Sequence, residues 1–300
     1  MTYREHNSHV NPSAIESPKN VLVTGGTGKT GRRVAARLHE RGVAVRALSR
    51  AGDRPFDWQD EGTWEPAVAG VDAVYVAYSP DLAVPGAGET VTAFAATAVA
   101  AGARRLVLLS GRGEPAAQKA EQQVAAAANA DGATCTVVRA SWFAQNFSED
   151  YLLDAVLSGV LALPVGDVPE PFVDADDIAD VAAAALMSPG HGGRTYEVTG
   201  PRLLTFADAA REISVASGRP LRVERLSRDG YADMLTAVGV PPEAVELLGY
   251  LFAEVLDGRN AHLAHGVEQA LGRAPRDFSG YARRAAATGV WRHPAPASTS

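Results

Sequence analysis

Short, almost wholly apolar runs recur through the first half of the chain: Val21-Leu22-Val23, Val43 to Leu48, Val71 to Ala77, Arg105 to Leu109 and Ala133 to Val138. Between them lie stretches with the spacing of helices. Val34 and Leu38 share one face of the first, which Gly42 ends, and alanine-rich segments run from Thr90 to Ala101 and from Ala116 to Asn129. Strands that are apolar on both faces must be covered on both faces, and their alternation with helices predicts βαβ units in a parallel sheet. The expected class is α/β, a doubly wound parallel sheet.

Beyond Phe147 the rhythm loosens. Phe172-Val173-Asp174-Ala175-Asp176-Asp177-Ile178-Ala179-Asp180-Val181 reads as a helix start with acids in its first turn, where the helix dipole favours them. The same carboxylates invite a metal or acid/base reading. Capping is preferred, because Ile178, Val181, Ala182 and Ala185 continue as a buried face behind them. Tyr196 to Thr199 is a late strand, and the chain beyond Phe206 reads as mainly helical. The expected organisation is a nucleotide-type domain over residues 20–147, to which the segment at about 170–200 returns, and a smaller α/β substrate lobe over 148–290. Residues 1–19 and 291–300, rich in Pro, Ser, Thr and Asn, are expected to be flexible.

Composition narrows the function. The 300 residues carry 28 Lys+Arg against 35 Asp+Glu, and the net charge of −7 without a basic run argues against a nucleic-acid partner. No apolar run has the length of a membrane span, and the polar start lacks the apolar centre of a signal peptide, so a cytoplasmic, membrane-free protein acting on a small molecule is expected. The single cysteine, Cys135, sits in a β-branched run and reads as a buried strand thiol, not a nucleophile. His262 and His265 fall three apart in an apparently helical stretch without a carboxylate at ligand spacing, and no metal site is expected. Only three of the basic residues are lysine: Lys19, Lys29 and Lys119.

The richest chemistry is in Thr24-Gly25-Gly26-Thr27-Gly28-Lys29-Thr30-Gly31, which follows a strand and opens a helix. Glycines there permit the tight turn, close approach to a pyrophosphate and close packing of helix on strand, and the helix N-terminus offers free N–H groups to the anion. Gly28-Lys29-Thr30 imitates the end of a Walker loop, but that motif requires a glycine where Val23 stands. Lys29 is instead expected over the pyrophosphate or at its rim. NAD sites place an acid about 20 residues further on and NADP sites an arginine. Here the second strand ends Arg46-Ala47-Leu48-Ser49-Arg50, with no acid before Asp53. Arg50, with Ser49 and Arg54, predicts NADP, with NADPH preferred over NADH.

These residues resemble the NmrA-like branch of the atypical short-chain dehydrogenase/reductases over about residues 20–285. The likeness rests on the glycine loop, on Val45 to Arg50, on Gly70 to Tyr75, on the run Arg139-Ala140-Ser141-Trp142-Phe143-Ala144-Gln145-Asn146-Phe147, and on Phe172-Val173-Asp174 with Asp177-Ile178-Ala179. Tyr196-Glu197-Val198-Thr199-Gly200-Pro201 completes it. The resemblance implies an NADPH-binding Rossmann domain with a C-terminal lobe closing over the nicotinamide. By position it implies Asp57 near the adenine, Ala77, Tyr78 and Ser79 along the ribose and nicotinamide, Ser110 and Gly111 after the next strand, and Ser141, Trp142, Phe143 and Asn146 beside the substrate. Ala140 stands where the family usually has proline.

The wider superfamily uses Tyr-x-x-x-Lys as its proton donor. Lys119 stands at a suitable distance after Ser110, but the residue four before it is Pro115, so the tyrosine is absent. Lys119 itself, Ser110, Tyr78 or a bound water are the candidates for the acid, and Lys119 also fits a plain surface helix position. Trp142, Phe143, Phe147 and Tyr151 fit a pocket for a flat aromatic or polyketide-like substrate, or equally an interlobe core. The expected activity is hydride transfer to a ketone, quinone or enone. A dinucleotide sensor without turnover and a cofactor-retaining epimerase or dehydratase are the rivals.

Overall fold

A computed structural model of the chain describes residues 17–48 and 56–292. Its order begins β1 (Asn20–Val23), α1 (Gly31–His39), β2 (Ala44–Ala47), a 3₁₀ turn Glu61–Thr63, α2 (Trp64–Val68), β3 (Ala73–Val76), α3 (Ala87–Ala100), β4 (Arg105–Gly111), α4 (Pro115–Ala130) and β5 (Thr134–Ala140). It continues through α5 (Asn146–Glu149), α6 (Leu153–Ser158), β6 (Val160–Leu163), α7 (Ala175–Met187), β7 (Thr195–Val198), α8 (Phe206–Ser217), β8 (Arg222–Arg225), α9 (Arg228–Ala237) and α10 (Pro242–Tyr250). A π turn Leu251–Val255, α11 (Gly266–Leu271) and α12 (Phe278–Thr288) end it.

Six strands pair in parallel in the order β2-β1-β3-β4-β5-β7. The α/β doubly wound sheet read from the sequence is therefore the one observed. Alternate strand residues feed opposite faces. Leu22, Val74, Leu106 and Val137 pack under α2, α3 and α4, while Val21, Tyr75, Val107 and Val138 pack under α1 and α7. Cys135 is buried on β5, and burial pushes its thiol up to about 12, so it carries no thiolate.

The chain leaves the sheet after β5 and rejoins it at β7, and the intervening and later segments build a second core. Phe147, Phe172, Phe206 and Phe278 meet edge-on or tilted at centroid distances of 5.1–5.8 Å. A two-stranded parallel sheet, β6 with β8, flanks it; neither strand is among those read from the sequence, and Arg222-Val223-Glu224-Arg225 is too polar and too short to stand out. Trp291, assigned to the tail on composition, is 1% exposed, lies against Tyr281 and donates its indole N–H to the Phe147 carbonyl at 2.9 Å. Composition misplaces it because one aromatic ring outweighs the prolines that follow. The two histidines also differ from expectation: both precede α11 in irregular chain, with His262 against Arg112 and His265 against Glu268.

The acids at α7 have two jobs. Asp174 caps the helix by accepting from the Asp176 N–H, and Asp177 is fully buried between Arg273 and Arg276. Among the described residues no group of His, Cys, Asp or Glu is arranged to hold a metal, and no helix is long and apolar enough to cross a membrane. Removing the buried Trp291 ring should be costly: Trp291→Ala is expected to lower stability by about 3–5 kcal/mol in urea unfolding, and an unchanged midpoint would show that the ring lies outside the cooperative core.

Candidate functional site

The first βα turn is shaped by glycines that no other residue can replace in place. Gly25 has φ +60° and closes a turn by accepting from the Gly28 N–H at 2.8 Å. A Cβ on Gly26 would come within 2.7 Å of the Ala47 methyl, and one on Gly31 would strike the Gly25 carbonyl. The helix that follows has no side-chain cap at Thr30 and no acid in its first turn, so its start stays open to an anion, although the Arg32 N–H already donates to the Gly28 carbonyl at 3.2 Å. Thr24 ties this turn to the next strand by accepting from the Ala77 N–H at 2.8 Å. A cradle that any Cβ would fill, at an uncapped helix start where β1 pairs on opposite sides with β2 and β3, fits a dinucleotide pyrophosphate.

Above the carboxyl ends of β1, β3, β4 and β5 lies a cavity of about 520 Å³. It brings together Gly25, Gly28, Lys29 and Thr30 from the glycine loop, Ala77, Tyr78 and Ser79 after β3, and Ser110 and Gly111 at the end of β4. Ser141, Trp142, Phe143 and Asn146 line it from the second lobe. Thr24, Gly26, Thr27 and Gly31 support the loop from outside the lining, and Asp57 is exposed, accepting from the Gln59 N–H beside the 3₁₀ turn. Ser49 and Arg50 lie outside the described residues.

Lys119 does not reach the cavity. The inward face of α4 is Ala117, Ala120, Glu121 and Val124, and a residue two positions before Glu121 points to the opposite side at about 100° per residue. Glu121 takes the inward place: it accepts from Ser110 Oγ at 2.6 Å and pairs with Arg139, which also holds Glu197 at 2.7 Å. The Ser110 proton is thus directed into the protein. Tyr78 stands partly buried against Trp58, with its phenol held above its usual range by burial.

Lys29 bridges the glycine loop to the second lobe, donating to Asn146 Oδ1 at 2.8 Å and pairing with Asp150, while its ammonium lies 5.6 Å from the centre of the Phe143 ring. Of the four aromatics read as pocket or core, Trp142, Phe143 and Tyr151 line the cavity and Phe147 is wholly core. Trp142 Nε1 and the Tyr151 hydroxyl are buried near each other and near Asn146, and neither makes a well-formed hydrogen bond.

Several lining residues escaped the sequence reading. Leu247, Leu248, Leu251 and Val255 form an apolar wall from α10 and the π turn, where a helix of modest amphipathicity gives no sign of which surface it faces. Three buried or half-buried acids, Asp81, Glu114 and Glu170, also reach the cavity. Glu170 receives the Trp142 backbone N–H, and burial raises its carboxyl to about 7 despite the nearby Arg112. Glu114, in Arg112-Gly113-Glu114 directly after a strand end, is the one with a usable local signal.

Comparisons with known proteins agree with this geometry. Residues 21–115 match the NAD dependent epimerase/dehydratase family. Over 275 residues the chain is 34% identical to a (4-alkanoyl-5-oxo-2,5-dihydrofuran-3-yl)methyl phosphate reductase of Streptomyces griseus, covering 86% of this chain and 95% of that one. Its fold is similar to that of the Citrobacter sp. triphenylmethane reductase complexed with NADP(H), with a TM-score of 0.70 at 18% identity over 89% of this chain and 99% of that one. It is likewise similar to an NADPH-dependent quinone oxidoreductase of Escherichia coli complexed with NADPH, with a TM-score of 0.69 at 20% identity over 88% and 99%. With its parallel sheet, its glycine cradle at the switch point and a relative matched along nearly its whole length, the chain belongs to the NmrA-like atypical short-chain dehydrogenase/reductases.

Proposed function

We propose that this protein is an NADPH-dependent oxidoreductase that delivers hydride to a ketone, quinone or enone of a small, flat, aromatic or polyketide-like molecule. The observation that carries this is one cavity lined both by the glycine loop and by Trp142, Tyr151 and the α10 leucines, which would set a dinucleotide and an apolar ligand in contact. The names of the Streptomyces reductase and of the Escherichia coli quinone oxidoreductase support the reaction class.

The reduced nicotinamide would supply the hydride. The chain's own contribution is positional, and holding two reactants in register accounts for a large part of the rate in such sites. Gly25, Gly28 and the α1 N-terminus would hold the pyrophosphate, with Lys29 at its rim. Trp142, Leu247, Leu248 and Leu251 would exclude water and press a flat acceptor against the ring of the cofactor. Trp142 Nε1 and the Tyr151 hydroxyl would find partners in that ligand's polar atoms, since buried donors without partners cost about 1–3 kcal/mol each.

Oxidation of NADPH by a panel of quinones, ketones and enones, followed at 340 nm, tests the reading; silence across the panel with NADPH bound would overturn it. NADPH is expected to bind much more tightly than NADH, and Arg50→Ala to erase the difference; equal affinities in the unaltered protein would remove the 2′-phosphate contact. Because Lys119 is exposed and outside the cavity, Lys119→Ala is expected to leave kcat unchanged, and a large loss would return it to the mechanism.

A further inference from the structure

With the usual tyrosine absent, Lys119 turned outward and the Ser110 proton given to Glu121, Tyr78 against Trp58 is what remains on the cavity of the side-chain donors read from the sequence, and the structure adds another. Glu114 is the cap residue of α4, yet its side chain makes no capping bond. It folds back over Gly111, where any Cβ would collide with its carboxyl. It is 4% exposed, it lines the cavity, and its Oε2 is buried without a hydrogen-bond donor. The carboxyl of Asp81, in the segment after β3, stands within hydrogen-bond reach of it and also lines the cavity. Asp81 is oriented by the Ala83 N–H, which donates to its Oδ1 at 2.7 Å. Two ionised carboxylates are acceptors only, so these two can bond to each other only by sharing a proton.

We propose that Glu114 and Asp81 form a proton-sharing carboxyl pair that donates the proton to the substrate oxygen in the reduction inferred above, so that the assignment rests on that reading. In that reduction the Glu114 O–H bond would break and its proton would form the O–H bond of the alcohol, while the C–H bond at the carbonyl carbon would form from the hydride that a bound reduced nicotinamide would supply. The pair is left with two negative charges that repel, and the partly exposed Asp81 takes up a proton from water.

The surroundings favour a retained proton. Burial, then the adjacent Asp81 charge, then Glu121 from α4 raise Glu114 to about 9. Burial also raises Asp81. Tyr250 of α10 faces the pair and is itself held above its usual range by burial and by these two carboxyls. The nearby arginines are engaged elsewhere: Arg139 with Glu121 and Glu197, Arg112 with Glu197 and the Asn260 and His262 carbonyls, and Arg259 with Asp257, Glu254 and the Gly113 carbonyl. The pair therefore titrates as one unit.

Infrared titration of the free protein is expected to show, besides the Glu170 carboxyl lost near pH 7, a second protonated carboxyl band that persists through neutral pH, is lost near pH 9 and is absent in Glu114→Gln. With an acceptor, kcat should fall as pH rises through that same value. Glu114→Gln should lower kcat by about 10²–10⁴-fold and abolish the alkaline limb while leaving NADPH affinity unchanged. Asp81→Asn removes the neighbouring charge, so it should move both the band and the limb to lower pH. Absence of the band, or an unaltered rate and pH profile in Glu114→Gln while the acceptor is still reduced, overturns the pair and leaves the oxidoreductase reading standing. Failure of the unaltered protein to reduce any acceptor overturns both.

Discussion

The approach of the α1 start to the end of β1 is the constraint from which the rest of the site follows. Gly31 packs its α-carbon against the Gly25 carbonyl and Gly26 packs against Ala47, so helix and strand meet with no side chain between them. That contact aims the uncapped helix end over the carboxyl edge of the sheet. It also sets the point where strand order reverses, with β2 on one side of β1 and β3 on the other. A crevice must open there because the two connections leave in opposite directions. The cavity is the consequence of this packing, and its chemistry comes from whatever side chains later segments bring to it.

What those segments bring is held in place by charge. Arg33 and Arg37 of α1 pair with Asp176 and Asp180 at the α7 start, and Arg273 and Arg276 reach Asp177 and Asp180 from the far end of the chain. The half-buried pairs among these are still partly solvated and each contributes modestly. Asp177 differs, since it is fully buried and would be left an uncompensated charge without its arginines. Lys29 with Asn146 and Asp150 adds a tie across the cavity itself. An arginine-rich composition thus serves to fasten the second lobe to the sheet, and the lysine in the glycine loop is placed where a compact ammonium meets both an amide and a carboxylate.

The acids divide by environment. Glu121 and Glu197 are both paired with Arg139 and serve as struts. Glu114, Asp81 and Glu170 face the apolar cavity with no ion-paired cation among the described residues, and burial pushes all three carboxyls upward. The same residue type is therefore a strut a few residues away from a proton reservoir, and the difference is made by which arginines reach it.

The sheet, the glycine loop and the aromatic run after β5 were legible in the amino-acid order because each depends on local rules. Apolar runs alternating with helical spacing force a doubly wound sheet, and glycines between a strand and a helix force a close turn. Helix-start acids followed by a buried face likewise mark Asp174 as a cap. Other features depend on contacts between residues far apart in the chain. The outward turn of Lys119 follows from the side of α4 that packs on the sheet, the meeting of Glu114 with Asp81 from how two loops end above the sheet, and the burial of Trp291 from a core assembled by segments far apart in the chain. Position along the chain determined which residues stand at the strand ends; only tertiary packing decided which of them face the cavity, because burial and charge partners are properties of the assembled neighbours.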